Sequence, residues 1–270
     1  MFRRRSSIEI KSADQLAVMR AAGLVVASAL QAVADAARPG VRTAALDEIA
    51  RDVLADNRAT SSFLGYRAHG AVPYPGVLCA SVNDEVVHGI PGSRRLEDGD
   101  LLSVDFGAIV DGWNADAAVT VLVGEGSTQA ARLSEITQEC LWAGLRAARA
   151  GGRLTDISHA VESSIVAARA ADDHAYGIVE DYGGHGIGSR MHMEPHILNY
   201  GAPGRGPTLT PGMALAIEPM VTLGSPEVAV LSDAWTVVTT DGSAAAHWEH
   251  TVAITEDGPW VLTTSADVRL

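Results

Sequence analysis

Hydrophobic and polar positions form two kinds of pattern along this chain, and the two kinds come in separate groups. Apolar residues at helical spacing predict four helices, and Ser12 with Gln15 forms a potential capping box at the start of the first. We expect these helices at residues 12–37, 44–57, 128–150 and 155–172. Runs of Val, Ile, Thr and Leu between Gly and Pro predict strands at residues 77–82, 100–110, 113–123, 177–182, 213–223, 228–240 and 247–263. Segregated helices and strands predict an α+β fold, with a mainly antiparallel sheet and helices on its outer side.

Two short similarities indicate an internal duplication. AARPGVR at 36–42 is matched by AARAGGR at 147–153, and each copy lies between two Ala-rich helical runs. GDLLSVDFG at 99–107 is matched by GMALAIEPM at 212–220, at nearly the same offset. The pattern predicts a repeated unit of two helices followed by strands, although Ala-rich helices that end in Gly can also resemble each other by chance.

The duplication sets the expected domain organisation. No low-complexity linker separates the two copies, so both should contribute to one sheet. Asp105 and Glu218 fall at equivalent positions of the two copies. We expect a single domain over residues 1–270, with a short extension at 1–8 and related halves at about 12–123 and 128–263.

A hairpin is predicted around Asp111-Gly112, a pair that favours a two-residue turn between strands. This turn places Asp105 opposite Ala118 and Asp116 opposite Gly107. The two aspartates then lie on one face as diagonal neighbours, with backbones about 7 to 8 Å apart, so both carboxylates can reach a metal ion between them. A solvated hairpin is the alternative for an isolated Asp pair of this kind.

Composition and charge exclude several classes of protein. The 270 residues are 47% hydrophobic and 20% charged, as in a globular protein with a substantial core. The net charge of −13 disfavours nucleic acid or an anionic membrane as a partner. Charged residues between the basic start and the first apolar run disfavour a signal peptide, and no run of about 18 apolar residues predicts a membrane span. The cysteines, Cys79 and Cys140, lack CxxC spacing, so we expect free thiols and a cytoplasmic location.

Metal-capable side chains occur in five distinct phrases of the sequence. They are Asp105 in LLSVDFG, Asp116 in WNADAAVTV, His185 in GGHGIG, Glu218 in LAIEPM and Glu249 in HWEHTVAI. Four carboxylates and one imidazole, with no thiolate, suit catalytic manganese, iron, cobalt or zinc better than structural zinc. The two glutamates lie in apolar surroundings, where an unpaired carboxylate is costly and needs a metal or a basic partner. The nearest basic residues in sequence are His247 and His250.

These phrases, together with SVNDEVVHGIP and GGHGIGSRMHMEP, resemble the signature segments of type I methionine aminopeptidases. Members of that family are bacterial enzymes that remove the initiator methionine, and the resemblance extends from about residue 9 to residue 263. It implies the pita-bread fold, in which duplicated helix-helix-strand units surround a curved, mainly antiparallel sheet. It also implies that the five candidate ligands hold two divalent ions, bridged by Asp116 and Glu249.

The resemblance assigns further roles residue by residue. A water that bridges the metals would supply hydroxide, and Glu218 would act as general base and then general acid. His192 would hydrogen-bond the substrate carbonyl, and His88 would position the scissile peptide. The positions that line the methionine pocket correspond to Cys79, Tyr74, Met191 and Trp235.

One segment departs from the family pattern. The usual LGYHGYP reads LGYRAHGAVPYP at 64–75, an apparent insertion of about five residues. The insertion leaves the roles of Tyr66, Arg67 and His69 open. It also lies at the rim of the methionine pocket, where it can alter which second residue of a substrate is tolerated.

The expected partners are N-terminal methionine peptides and nascent chains, encountered at the ribosome, and the expected state is a monomer. Two other functions remain open at this point. A proline-specific aminopeptidase or dipeptidase shares the five ligands, although such chains usually carry a large additional N-terminal domain. A metal-free binding protein of the same fold is the other alternative, and the presence of all five ligands disfavours it.

Overall fold

The computed structural model describes residues 8–67 and 72–270. Within this part of the chain, the helices confirm the four predicted segments to within three residues at each end. Ser12 caps the first helix, where Ser12 and Gln15 form the predicted capping box. The helices are α1 (Ala13–Ala36), α2 (Thr43–Asp56), α3 (Thr128–Ala147) and α4 (Leu154–Asp172).

The strands of the first half, up to the start of α3, are β1 (Thr60–Ser61), β2 (Leu78–Val82), β3 (Glu85–Val87), β4 (Leu101–Val110) and β5 (Trp113–Leu122). Those that follow α4 begin with β6 (Gly177–Ile178), β7 (Gly184–Gly186), β8 (Met193–Ile197), β9 (Ala214–Ile217) and β10 (Met220–Thr222). The remaining strands are β11 (Val228–Val230), β12 (Val237–Thr239), β13 (Ala245–His247), β14 (Glu249–Thr255), β15 (Gly258–Val261) and β16 (Val268–Arg269).

The main sheet has a nearly symmetric order of antiparallel strands, β1-β4-β5-β14-β9-β7-β8. Its two central strands are β5 and β14, and their outer neighbours are β4 and β9. These outer neighbours carry GDLLSVDFG and GMALAIEPM, the two segments whose similarity indicated a duplication. The repeat in the sequence therefore corresponds to matched positions on either side of the sheet centre.

Each pair of helices packs on its own half of the sheet. Residues of α1 and α2 form one hydrophobic core with β2, β4 and β5. Residues of α3 and α4 form a second core with β9 and β14. Helix α1 is long and apolar enough to cross a membrane by length and composition, but half of its most apolar window is buried inside the protein. The hydrophobicity of α1 is thus accounted for by its packing as a core helix.

The β4–β5 hairpin has the predicted register. Asp111 and Gly112 adopt left-handed conformations, with φ of 46° and 82°, as a two-residue type I′ turn requires. Asp105 pairs with Ala118, and Gly107 pairs with Asp116. The turn dipeptide alone was enough to place the two aspartates as diagonal neighbours on one face.

Several predicted strands are shorter than expected. The segment 213–223 is interrupted at Glu218-Pro219, because proline cannot donate the next hydrogen bond of the ladder. The segment 228–240 forms two short strands around a turn at Ala234, whose φ is 66°. Within the segment 177–182, only Gly177–Ile178 forms a strand. The segment 247–263 contains the last residue of β13, all of β14 and all of β15. The short strands β1, β3, β7, β8 and β16 were not predicted.

Candidate metal centre

Four of the five candidate ligands lie on strands and the fifth directly follows one, and these five strands are consecutive neighbours in the sheet. Asp105 is on β4, Asp116 on β5, Glu249 at the start of β14 and His185 on β7, while Glu218 directly follows β9. Ala118 of β5 pairs with Asp105 on one side and with Glu249 on the other. Asp116 lies two residues before Ala118 on the same strand, so Asp105, Asp116 and Glu249 lie close together on one face. Residues separated by up to 144 positions thus reach one place through strand pairing.

The carboxylates of this group are poorly satisfied by the protein itself. Asp116 and Glu249 are buried, and Asp105 and Glu218 are partly buried. One oxygen of each of three side chains, Asp105 Oδ1, Asp116 Oδ1 and Glu249 Oε1, has no hydrogen-bond partner among the described residues. Buried polar atoms without partners are rare and costly, and they often mark the position of a bound ion.

Burial and mutual proximity raise the pKa values of the four candidate carboxylate ligands. Burial raises the pKa of Asp105, Glu218 and Glu249 well above the usual range, and repulsion from the charge of Asp116 raises each further. Burial also raises the pKa of Asp116 to about 7. A cation among these groups stabilises the ionised forms and reverses the direction of these shifts.

His185 is oriented to offer its Nε2 atom. Its Nδ1 lies 3.0 Å from the carbonyl oxygen of Gly186, so an Nδ1–H donates there and leaves the Nε2 lone pair available. Nε2 lies 3.4 Å from Glu218 Oε1. Burial lowers the pKa of His185 to about 3, which keeps the imidazole neutral, the form that binds metal.

The glycines around His185 are required for this placement. A Cβ at Gly184 would collide with the carbonyl oxygen of Ala216, and a Cβ at Gly186 with that of Glu194. The short strand β7 can therefore lie close to both β9 and β8 only because glycine occupies these positions. Glycines on both sides of His185 are a sequence signal for such close approach.

The donor set fits a divalent metal. Potential ligand atoms of Asp116, His185 and Glu249 all lie within 4.8 Å of one another, a spacing compatible with one shared ion. The carboxylates of Asp105 and Glu218 adjoin this group, because Asp105 and Glu249 both pair with Ala118 and Glu218 Oε1 lies 3.4 Å from His185 Nε2. Oxygen-rich ligation with one imidazole suits the first-row divalent ions.

His247 lies close to two of the acids. Its Nε2 is 3.9 Å from Glu218 Oε2 and 4.0 Å from Glu249 Oε2, too far for a hydrogen bond to either. The side chain is buried, and Nε2 has no hydrogen-bond partner among the described residues. The signal in the sequence was its position two residues before Glu249, which places both on one face of an extended chain. His250, the other basic residue nearby, instead bonds Thr263 through Nδ1.

A cavity of about 800 Å³ adjoins the acids and is lined by all the predicted site residues. The predicted methionine-pocket residues Tyr74, Cys79, Met191 and Trp235 form one buried cluster, together with Phe63. The hydroxyl of Tyr74 donates to carbonyl oxygens of the backbone, so the cluster presents mainly apolar surface. Phe63 was not predicted, because nothing in its local sequence distinguishes it from a core residue.

The two predicted substrate histidines line the same cavity from different elements. The His88 ring contacts Trp235 and Tyr182 edge-on, with centroids 6.0 and 5.7 Å apart. The His192 ring lies 4.3 Å from that of His185, and its Nδ1 is 2.7 Å from the hydroxyl of Tyr66. Burial lowers the pKa of both His88 and His192 to about 4.

The insertion leaves the adjacent site residues in place. The backbone of Tyr74 accepts a hydrogen bond from Gly65 and donates one to Tyr66, each at 2.9 Å. This pairing joins the two ends of the inserted segment at its base. Arg67 is exposed at the border of the described residues, and His69 lies outside them. Tyr66, whose role the sequence left open, therefore contacts the site directly.

Comparison with known proteins agrees with this geometry. The chain is 54% identical over 262 residues to methionine aminopeptidase 1 of Mycobacterium tuberculosis, with 97% of each chain covered. The crystal structure of methionine aminopeptidase from Thermotoga maritima matches with a TM-score of 0.89 at 39% identity, covering 96% of this chain and 100% of that one. Prolidase from Pyrococcus furiosus shares the fold, with a TM-score of 0.74 at 21% identity, but 95% of this chain covers only 66% of that protein.

The predicted pita-bread fold is confirmed by these structural matches. At the level of families, residues 17–256 match Metallopeptidase family M24. This range includes all five strands that carry the candidate ligands. The chain therefore belongs to metallopeptidase family M24.

Proposed function

We propose that this protein removes the N-terminal methionine from peptides and nascent proteins in a metal-dependent hydrolysis. The observation that supports this most strongly is the convergence of Asp105, Asp116, His185, Glu218 and Glu249 from neighbouring strands beside a largely apolar pocket. The likeness to proteins named methionine aminopeptidase, over nearly the whole chain, supports the same activity.

The proposed cofactor is a pair of divalent ions held by the five ligands, with Asp116 and Glu249 shared between them. Both residues are buried on the two central strands, and each has a carboxylate oxygen without a partner among the described residues, which leaves it available to an ion. When bound, the ions supply Lewis acidity and lower the pKa of a water nucleophile toward neutrality. Cobalt, manganese, iron and zinc all suit this donor set.

The apolar cluster holds the methionine side chain in this proposal. Cys79, Met191 and Trp235 present sulfur and ring surface, which suit a flexible thioether. Tyr74 closes the pocket and keeps its hydroxyl bonded to Leu78 and Gly89. The pocket adjoins the acids, so a methionine within it brings its free amino group and its peptide carbonyl to the centre. An internal methionine has no free amino group, and the enzyme therefore acts at chain ends.

Three side chains act on the substrate and the attacking water. Glu218 takes a proton at a carboxylate oxygen and delivers it to the leaving amine, a role that suits a carboxylate that lines the cavity next to His185. His192 donates an N–H to the substrate carbonyl oxygen as negative charge develops. His88, held edge-on by Trp235 and Tyr182, positions the scissile peptide.

A cytoplasmic, monomeric enzyme that meets its substrates as they emerge from the ribosome completes the proposal. Its high similarity to bacterial methionine aminopeptidases supports this setting. The two cysteines are buried free thiols, which agrees with a reducing compartment.

The test is hydrolysis of Met-Ala-Ser and of a Gly-Pro dipeptide by purified protein, before and after addition of Mn²⁺ or Co²⁺. We expect metal-dependent release of methionine from Met-Ala-Ser and little cleavage of Gly-Pro. Preferential cleavage of Gly-Pro would instead support a proline-specific peptidase. Absence of both activities and of metal binding would support the binding-protein alternative.

The matched variants are His185→Ala, which removes a proposed ligand, and His159→Ala, which removes an exposed histidine on α4. We expect His185→Ala to abolish methionine release and His159→Ala to retain it. An unchanged rate in His185→Ala would contradict the proposed centre.

A further inference from the structure

We propose that Tyr66 is a positioning residue for His192. Its hydroxyl donates a hydrogen bond to Nδ1 of His192 and thereby keeps the imidazole proton on Nε2, the atom that donates to the substrate carbonyl. This inference rests on the proposed function for the role of Nε2. The hydrogen bond itself stands on the geometry of the two side chains.

His192 is held between two other rings. The Tyr66 hydroxyl lies 2.7 Å from His192 Nδ1, and the two ring centroids are 5.1 Å apart at an interplanar angle of 62°. On its other side, His192 contacts the ring of His185 at 4.3 Å and 70°. Nδ1 is therefore committed to Tyr66. Among the described residues no hydrogen bond is made by Nε2, and His192 lines the cavity, which leaves Nε2 for a ligand.

The tautomer of His192 decides what Nε2 can do. A neutral imidazole has one N–H and one lone pair, and the bond made by one nitrogen fixes the state of the other. If Nδ1 carried the proton and donated to Tyr66, Nε2 would present a lone pair to the lone pairs of the substrate carbonyl. If Tyr66 donates, Nε2 carries the proton and can stabilise negative charge on that oxygen. Only the second arrangement is compatible with the proposed role of His192.

The backbone holds Tyr66 firmly enough to act in this way. Its N–H donates to the carbonyl of Phe63 at 2.8 Å, and its own carbonyl accepts from Tyr74 at 2.9 Å. Its ring packs against the buried pocket cluster that contains Phe63 and Tyr74. These two backbone hydrogen bonds and the packing of its ring fix Tyr66 at the base of the inserted segment.

Nitrogen-15 NMR of the zinc-loaded protein, with histidines labelled, measures the tautomer directly. In wild type we expect a pyridine-like shift for Nδ1 of His192 and a pyrrole-like shift for Nε2, assigned by loss of the signals in His192→Ala. In Tyr66→Phe we expect both shifts to move toward the average of mixed tautomers. A pyrrole-like Nδ1 in wild type, or an unchanged tautomer in Tyr66→Phe, would overturn the proposal.

Kinetics test whether the hydrogen bond matters for turnover. Tyr66→Phe should lower kcat for Met-Ala-Ser by roughly tenfold with little change in KM, because stabilisation of developing charge acts mainly in the transition state. Tyr176→Phe is the control, since it removes a tyrosine hydroxyl bond of 2.9 Å to Asp172 far from the cavity. Melting temperature and metal content, measured for each variant, separate loss of fold or metal from loss of positioning.

A double-mutant cycle shows whether Tyr66 acts through His192. Once His192 is alanine, Tyr66→Phe should have no further effect on kcat. If Tyr66→Phe lowers kcat by the same factor in wild type and in His192→Ala, Tyr66 does not act through His192 and the proposal is overturned. If wild-type protein fails to cleave Met-Ala-Ser, the proposed function is wrong, and the NMR result still decides the hydrogen bond separately.

Discussion

His247 is a buried side chain beside the candidate metal centre, and we expect it to act on that centre without being a ligand. Its Nε2 is about equally distant from Glu218 and Glu249, at 3.9 and 4.0 Å, and has no hydrogen-bond partner among the described residues. A proton on Nε2 would place positive partial charge near both carboxylates and favour their ionised, metal-binding forms. His247 is not among the described residues that line the cavity.

Replacing His247 should therefore weaken metal binding. We expect His247→Ala to raise the Kd for Mn²⁺ by roughly tenfold, in the range found for groups that orient metal ligands. Isothermal titration calorimetry of metal-free protein measures this, with His159→Ala as the control for loss of an exposed histidine. An unchanged Kd, in a variant that remains folded, would show that His247 has no influence on the ligands.

At this scale the sequence indicated the candidate ligands more clearly than the residues around them. Asp105, Asp116 and Glu249 could be recognised because each lies in a distinctive phrase. The hydrogen bond between Tyr66 and His192 joins residues 126 positions apart, and no local pattern encodes it. Contacts of this kind depend on the relative placement of whole strands and loops.

Helix α2 and strand β2 are linked by one buried carboxylate. Asp47 Oδ1 accepts hydrogen bonds from the backbone N–H groups of Val77 and Leu78, at 2.7 and 3.2 Å. Strand β2 begins at Leu78 and carries Cys79, which pairs with Asp105 on β4. A helix that packs on the sheet thereby fixes the start of the strand that joins the proposed methionine pocket to the candidate metal centre.

Loss of this link should destabilise the fold. We expect Asp47→Ala to lower the free energy of unfolding by about 2 to 4 kcal/mol, because two buried backbone donors lose their acceptor. Urea denaturation measures the change, with Asp52→Ala, an exposed position on the same helix, as the control. Equal stability of the two variants would contradict the structural role of Asp47.

The elements themselves were predictable to different degrees. The bounds of α1 and the register of the β4–β5 hairpin follow from a capping box and a turn dipeptide, which are local signals. Strand β7, at Gly184–Gly186, was not predicted because its glycines lack strand propensity and serve close approach to neighbouring strands. Tertiary pairing, rather than local preference, makes this segment extended.

At the scale of the whole molecule, the candidate metal centre lies at the middle of a nearly symmetric sheet. The central strands β5 and β14 supply Asp116 and Glu249, and their outer neighbours lead to Asp105 and Glu218. The duplication detected in the sequence predicted the equivalence of Asp105 and Glu218. It could not predict β5 next to β14, because nothing local specifies how the two halves join. Convergence at this junction also brings four carboxylates together, a repulsive arrangement without cations.

Metal should consequently stabilise the whole fold. A ligand at 100 times its Kd that binds only the folded state raises the free energy of unfolding by about 2.7 kcal/mol. For a protein of this size, that increase raises Tm by roughly 5 to 10 °C. Differential scanning calorimetry with and without Mn²⁺ measures the shift, and excess chelator should reverse it. Asp116→Asn, which removes a shared ligand, should show a much smaller rise, and an equal rise in that variant would place the stabilising ion elsewhere.

The most direct measurement is anomalous diffraction from a crystal of the manganese-loaded protein. We predict two anomalous peaks at the junction of β5 and β14, contacted by Asp105, Asp116, His185, Glu218 and Glu249, with Asp116 and Glu249 in contact with both. Absence of anomalous density among these five side chains, or a metal bound only by other residues, would contradict the account.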